Sequence, residues 1–518
     1  MNFVNAVRQT LDNEMNVAVT ENGAVGCRTT GKALLDLNFA VASLRKMSDE
    51  EVAKRFKKAF YEDKLLAMKW LFYARDVRGG VGERRLFRVV MADLVESNPE
   101  MVIPVINLIP EYGRYDDLWC LLDSNKSANV VCQIVDKQLK ADWEGMAAKK
   151  PISLIAKWMP SINASSAKTK EYGKKLCKAL DMTEREYRKA LSKLRKYLDV
   201  VEVKMSDKNW SEIKYEAVPS RANLIYNNAF LRNDEARRRE YLGQLEKGET
   251  KINASTLFPH DIVHKYGRNL SRQDATIEGL WKALPDTVKG CGNTIVVADG
   301  SGSMTTCVDN NSRVTALEVA NALAIYFAER SSGQFKDKYI TFSENPQLVD
   351  LGKGKTLRDK LQIAYSHNEV ANTNIEAVFD LILTAAIRNK MSQDDLPKNI
   401  LIISDMEFDS CATSGSVIQK DPWGYSYYRR VTPDNKLFDV IARKYAKAGY
   451  KMPRLVFWNV NSRTGTIPVR ENDLGVALVS GFSVNIAKMV MSNQTDPFEC
   501  LLETLNSERY APVEAALK

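Results

Sequence analysis

Two apolar runs, Thr294-Ile-Val-Val-Ala298 and Asn399-Ile-Leu-Ile-Ile-Ser404, constrain the fold most, because each ends in a carboxylate, Asp299 or Asp405. Short runs of aliphatic and β-branched residues without polar alternation read as buried strands. From Cys291 onward strand and helix patterns alternate. Strands are expected at Thr294–Ala298, Tyr339–Phe342, Gln347–Leu351, Asn399–Ser404, Arg454–Asn459 and Val476–Ser480. Helices are expected at Val314–Arg330, Ile375–Arg388, Lys436–Gly449 and Val484–Met491. Such alternation predicts an α/β layer with a mostly parallel sheet and helices on both faces. Ligands of such sheets bind at the carboxyl ends of the strands, where both aspartates stand.

The first run opens into Asp299-Gly-Ser-Gly-Ser303, a loop on which a carboxylate and the hydroxyls of Ser301 and Ser303 converge. Hard oxygen donors of this kind suit Mg²⁺ or Mn²⁺. Gly300 and Gly302 let the backbone fold that closely. A plain turn, with either serine capping the next helix, is the alternative. The spacing Asp-x-Ser-x-Ser after a buried strand resembles the metal-ion-dependent adhesion site of von Willebrand A-type domains. That resemblance implies a threonine on a second loop, matched by Thr373 before the helix Ile375–Arg388, and an aspartate after a later strand, matched by Asp405. The implied ligand set is Asp299, Ser301, Ser303, Thr373 and Asp405. Two positions depart from the pattern: no glycine directly precedes the threonine loop, and Met406 stands where many relatives carry glycine.

Up to about residue 290 the apolar spacing is helical, over Val52–Val77, Gly82–Glu96, Met101–Ile109, Asp116–Leu122, Ser166–Leu180, Thr183–Leu198 and Asp234–Leu245. The expected organisation is a multidomain α + α/β chain. An α-helical, HEAT-like repeat region over 1–290 precedes a von Willebrand A-like doubly wound α/β domain over 291–492 and a C-terminal helical tail over 493–518. No clean period supports the repeat, so it rests on fold analogy.

The net charge of +9 is uneven. Residues 1–290 hold 49 Lys/Arg against 39 Asp/Glu, whereas 291–518 hold 25 against 26. Lys149–Leu198 alone carries 14 basic and 4 acidic residues, a surplus able to attract a polyanion. In Thr183–Leu198 the helical spacing sets Tyr187, Leu191, Leu194 and Leu198 on one face and Arg185, Arg188, Lys189, Lys193 and Lys196 on the other. The preceding segment adds Lys168, Lys170, Lys174, Lys175 and Lys178. A second basic spot, Arg78-Gly-Gly-Val-Gly-Glu-Arg84-Arg85, reads equally as a phosphate cradle or as a turn between helices. The long loop Phe408–Pro433, with Trp423, Tyr425, Tyr427, Tyr428, Arg429 and Arg430, is functional or self-packed. His260-Asp-Ile-Val-His264 approaches a zinc-protease motif, but aspartate is one methylene short and no third ligand is evident, so an ordinary helix-start pair is expected.

The phrases Thr20-Glu-Asn-Gly-Ala-Val-Gly26, Arg75-Asp-Val-Arg-Gly-Gly-Val-Gly-Glu-Arg84, Ala156-Lys-Trp-Met-Pro160, Val218-Pro-Ser-Arg-Ala222 and Lys251-Ile-Asn-Ala254 resemble an uncharacterised family of plants, large viruses and phages. Members of that family join a helical region to a von Willebrand A-like domain. The architecture is also similar to the Ro (TROVE) ribonucleoproteins, which implies binding of structured or misfolded small RNAs. Together these readings lead to a non-enzymatic RNA-binding protein with a magnesium-dependent ligand site. The alternative is an adaptor whose metal captures an acidic side chain of a partner protein. The eight scattered cysteines form no C-x-x-C pair, and no apolar run reaches 18 residues, so a cytoplasmic protein without membrane insertion is expected.

Overall fold

The computed structural model describes residues 16–19, 25–267, 270–288, 293–368, 373–407, 416–420, 426–430, 437–463, 465, 467, 476–487 and 496–518. They form two compact units that interleave along the chain. One gathers Ser48–Leu257, Asp274–Pro285 and Leu505–Lys518, and the other Met1–Met47, Phe258–Gln273 and Asp286–Thr504. The architecture is α + α/β, but the cuts differ from those expected at 290 and 492.

The first unit is helical: α1 (Asp49–Glu62), α2 (Lys64–Arg75), α3 (Arg84–Ser97), α4 (Ala128–Ala147), α5 (Ala167–Ala179), α6 (Glu184–Tyr197), α7 (Ser220–Asn233) and α8 (Glu235–Lys247). The single helix expected over Val52–Val77 is broken at Asp63, which ends α1 and caps α2 by accepting from the Leu66 amide at 2.8 Å. The stretch expected to be helical over Asp116–Leu122 is a 3₁₀ turn, Tyr115–Asp123. Helix α4 buries a thin stripe of Val131, Val135, Leu139 and Asp142, and α7 buries Asn223 and Asn227, so neither announced itself by apolar spacing.

Those asparagines serve a buried cation. The Arg238 guanidinium, fully buried, donates to Asn223 and Asn227 at 3.1–3.3 Å and lies 4.9–5.3 Å from the ring centres of Tyr215, Phe230 and Tyr241. Residues 505–518 pack into the helical unit. Leu505, Tyr510 and Val513 are buried, and Arg509 donates to the buried Asp76 carboxylate at 2.8 and 3.0 Å. Lys69, also buried, pairs with Glu514 at 2.6 Å. Burial of Asp76 within the helical unit needs a cation, and the chain's end supplies it.

The second unit holds a six-stranded sheet built from β1 (Thr294–Asp299), β2 (Lys338–Phe342), β3 (Leu348–Asp350), β4 (Asn399–Ser404), β7 (Arg454–Asn459) and β8 (Val476–Ser480), in the order β8-β7-β4-β1-β2-β3. Between β4 and β7 in the chain, β5 (Ser416–Lys420) and β6 (Ser426–Arg430) pair antiparallel as a separate ribbon within the loop expected over Phe408–Pro433. Trp423 and Tyr425 lie outside the described residues. All sheet pairings are parallel except β2 with the edge strand β3. Strands β1 and β8 are buried throughout, as strands covered on both faces must be. Helix α9 (Ala316–Arg330), started by a Thr315/Glu318 capping box, packs on β1, β2 and β4. Helix α10 (Ile375–Arg388) begins at the Asn374 cap. Of the helix expected over Val484–Met491, a 3₁₀ turn at Val484–Ile486 is described. The chain's first segment closes this unit: Asn459 donates to the Phe39 carbonyl at 2.8 Å and the Ala42 amide to Ser480 at 3.1 Å.

Candidate metal loop and cationic surface

Strand order runs outward in both directions from the β1/β4 pair, so the loops after these two strands leave a crevice at their carboxyl ends. Asp299 ends β1, and Asp405 follows Ser404, the last residue of β4. Both carboxylates are almost wholly buried. One Asp299 oxygen accepts from the Ser301 amide at 2.9 Å and the other from the Ser404 hydroxyl at 2.6 Å. The Ser301 and Ser303 hydroxyls lie 2.9 Å apart, and Ser303 also bonds to Asp405. Four of the five expected residues therefore converge. Thr373 is buried just before the cap of α10.

The electrostatics of the pair are unbalanced. Burial first, and the Asp299 charge second, push the Asp405 carboxyl well above the usual carboxylate range, against the Ser303 hydrogen bond and the charge of Arg463. Its Oδ2 is buried and accepts no hydrogen bond among the described residues, with the Arg463 guanidinium 3.8 Å away. Two facing carboxylates, two adjoining hydroxyls and an oxygen without a donor fit a small divalent cation in chemistry and in charge. No group of three or more His, Cys, Asp or Glu side chains is arranged for a metal among the described residues, so this mixed carboxylate-hydroxyl set is a different kind of candidate. Met406 takes φ +63°, the left-handed conformation that explains glycine at this position in the resembled pattern, and its side chain is buried.

Four neighbours escaped the reading of the sequence. Ser404 orients Asp299, and its place at the end of an apolar run was the available signal. Arg463 and Lys46 flank Asp405; burial and the Arg463 charge lower the Lys46 pKa. Lys46 is tied to the region after the loop through its carbonyl, which accepts from Asn310 at 3.4 Å. Asn461 bonds to Thr306, just past the metal loop, at 2.8 Å. No spacing rule joins such distant segments. Glu407 is buried and accepts from the Arg463 amide at 2.7 Å, so it serves the loop's frame.

On the helical unit, Tyr187, Leu191 and Leu194 of α6 are buried, while Arg185, Arg188, Lys189, Lys193 and Lys196 are exposed, as are Lys168, Lys170, Lys174, Lys175 and Lys178 of α5. Lys168 and Lys175 share Asp123 and Glu171 at 2.8–3.2 Å, and Lys174 stands 4.0 Å from Glu184. Among the described residues Lys170, Lys178, Arg185, Lys189 and Lys196 make no ion pair, nor do Arg188, which donates to the Glu184 carbonyl at 3.3 Å, and Lys193, which lies 5.2 Å from the Trp143 ring centre.

The second basic spot differs. The amides of Arg78, Gly80, Val81 and Glu83 bond to Asp76, Tyr73 and Ala74 at 2.7–3.1 Å, so a cradle of those amides is spent on the turn. A Cβ on Gly80 would lie 2.0 Å from the Tyr73 carbonyl oxygen, which accounts for that glycine by close approach. Arg78 donates to the Glu111 carbonyl at 2.7 Å, Arg84 stands 4.0 Å from Asp116, and Arg85 contacts Asp49. The histidine pair divides: His260 stacks on Phe258, and His264 meets Glu318 at 3.1 Å.

Comparison with known proteins bears on this arrangement. A domain of unknown function, DUF2828, matches residues 20–111 and 128–294, and a second domain of unknown function, DUF7788, matches residues 293–510. An uncharacterized protein of Acanthamoeba polyphaga mimivirus is 30% identical over 543 residues, which span 96% of this chain and 89% of the viral protein. The chain belongs to the DUF2828 family. Its two matched regions meet at residues 293 and 294, where β1 begins and the sequence pattern changes. The candidate metal loop thus lies wholly within the DUF7788 region and the cationic helices within the DUF2828 region. No helix among the described residues is long and apolar enough to cross a membrane.

Proposed function

We propose that the chain is a non-enzymatic, cytoplasmic RNA-binding protein similar in plan to the Ro ribonucleoproteins. Exposed cations of α5 and α6 hold the phosphate backbone, and a Mg²⁺ or Mn²⁺ held by Asp299, Ser301, Ser303, Thr373 and Asp405 captures one anionic oxygen of the ligand. The carrying observation is the charge that α5 and α6 display, where ten lysines and arginines are exposed and, among the described residues, only Lys168, Lys174 and Lys175 have a carboxylate partner, which leaves seven free. Cations that are neither buried nor neutralised are the ones that release counterions from a polyanion. The strand order of the sheet, with its antiparallel edge, supports reading that unit as von Willebrand A-like. A HEAT-like arrangement of the helical unit belongs to the same proposal.

A protein-binding adaptor is the second reading, favoured by the near-neutral charge of residues 291–518 and by the Asp405 oxygen left open to a cation. Filter binding of the full chain to a small structured RNA, at two salt concentrations and after nuclease treatment of the preparation, separates the two. Salt-sensitive binding supports the first. Absence of RNA binding, with metal-dependent retention of a protein partner, replaces it by the second.

A further inference from the structure

We infer that a cavity in the helical unit receives one unpaired nucleotide of the bound RNA; this rests on the RNA reading above. The cavity measures about 340 Å³ and is lined by Arg88 of α3, Trp119, Lys157, Trp158, and Thr169 and Tyr172 of α5, among others. It lies at the small end of ligand cavities, which run from about 300 to 1,000 Å³. Such a space suits one nucleotide and excludes a duplex or a folded hairpin. Two indoles and a phenol supply flat apolar walls, and Lys157 supplies positive charge, while Arg88 is held by Asp117 at 2.7 Å and by Asp116, itself in the lining, at 2.9 Å. Aromatic stacking beside cations is how unpaired nucleotides are held without regard to sequence.

The walls are fixed by specific bonds. The Trp119 indole N–H donates to the Trp158 carbonyl at 3.2 Å, and the Arg114 guanidinium lies 4.0 Å from the Trp158 ring centre. Helix α6 clamps the same wall from behind: Tyr187 donates to the Pro160 carbonyl at 2.9 Å, and Arg195 to the carbonyls of Ala156 and Met159 at 2.8 and 2.9 Å. The segment Ala156–Pro160, so far without a role, is therefore a braced cavity wall. Its link to the cationic surface is direct. Tyr172 donates to Asp123 at 2.7 Å, and that carboxylate also holds Lys168 and Lys175. By helical spacing Lys168 and Lys175 share the face of α5 that carries Thr169 and Tyr172, with their ammonium groups 4.9 and 5.9 Å from the Tyr172 ring centre, so a phosphate held there stands beside the cavity. An acidic peptide would match the charge but would leave the flat walls without a planar partner.

The test uses the full chain and two labelled RNAs, a blunt hairpin and the same hairpin with a single-stranded 3′ extension. Trp158→Ala should lower affinity for the extended hairpin about tenfold, within the range measured for one stacked base, and leave the blunt hairpin unchanged. Trp158→Phe should restore most of the loss. Thr169→Trp, which plugs the mouth from a half-buried helix position, should reproduce the selective loss even if Trp158→Ala fails to fold. Adenosine monophosphate should compete with the extension and not with the blunt hairpin. Affinities of folded Trp158→Ala and Thr169→Trp unchanged from those of the unmodified chain, or equal losses on both RNAs, overturn the cavity assignment while leaving the RNA reading standing. Failure of the unmodified chain to bind either RNA removes the RNA reading itself, and the cavity proposal with it.

Discussion

The two units treat charge in opposite ways. The helical unit displays cations on the outside of α5 and α6, whereas the sheet unit hides two carboxylates at the ends of β1 and β4. A displayed charge costs little to hold and acts over a distance set by salt. A buried like-charged pair is costly unless something of opposite sign joins it, so it acts only on what enters its crevice. The first arrangement suits capture without selection, and the second selection without much capture.

The sharpest way to break this contrast is to disturb one of its exceptions, the buried Asp76 of the helical unit. Arg509→Ala strips that carboxylate of its cation and should cost about 3 kcal/mol, seen as earlier denaturant unfolding of the helical unit while near-ultraviolet signals of the sheet unit persist. An unchanged midpoint would mean that displayed and buried charge weigh alike in that unit. Next in size is charge reversal of Lys174, Lys175, Arg188, Lys189 and Lys193 to glutamate, which should weaken unrelated RNAs alike by about a hundredfold. It should also flatten the salt slope by roughly 0.7 per lost phosphate contact. Full affinity in a variant folded by circular dichroism favours the adaptor.

A smaller effect tests the hidden pair. Ser301→Ala with Ser303→Ala should abolish a single weak Mn²⁺ site in calorimetry and leave RNA binding by the full chain within about twofold, because the ten displayed cations remain. Unaltered Mn²⁺ binding would dismiss the loop as a metal site. The smallest effect is a pH dependence. The folded-state pKa of Asp405 lies above its ordinary value of 3.8, so the metal-free folded protein holds a proton there that the unfolded chain gives up. That contribution to stability is fully present below the ordinary value and is lost as pH rises towards the raised one. Mn²⁺ requires the carboxylate, so its stabilisation, read as a melting-temperature shift, should be larger at pH 8 than at pH 6. A shift independent of pH would place the ion elsewhere.

What was legible in the sequence follows the same division. Strands β4, β7 and β8 and helix α10 have the expected bounds, because a doubly covered strand and an amphipathic helix advertise themselves in a local window. The exposed stripe of α6 was legible for the same reason. The convergence of Asp299, Ser301, Ser303 and Asp405 was legible through two strand ends. Lys46 and Arg463 were not, since they reach Asp405 from segments far apart in the chain, and no periodicity encodes that approach. The helices α4 and α7 were missed because their buried faces are narrow or polar. The family models divide the chain near residue 293, close to the composition change, yet the packing does not follow that line.

Interleaving of the units has a consequence for biosynthesis. Residues up to Met47 belong with segments that end at Thr504, and the helical unit recruits Leu505–Lys518. At roughly 5–20 residues per second, the first segment leaves the ribosome on the order of half a minute before its β-strand partners are complete. The sheet unit cannot close before Thr504 is made, nor the helical unit before Leu505–Lys518, so the apolar faces of Phe39, Leu35 and their neighbours spend that interval in reach of chaperones, and the nascent protein should depend on them more than its mature stability would imply.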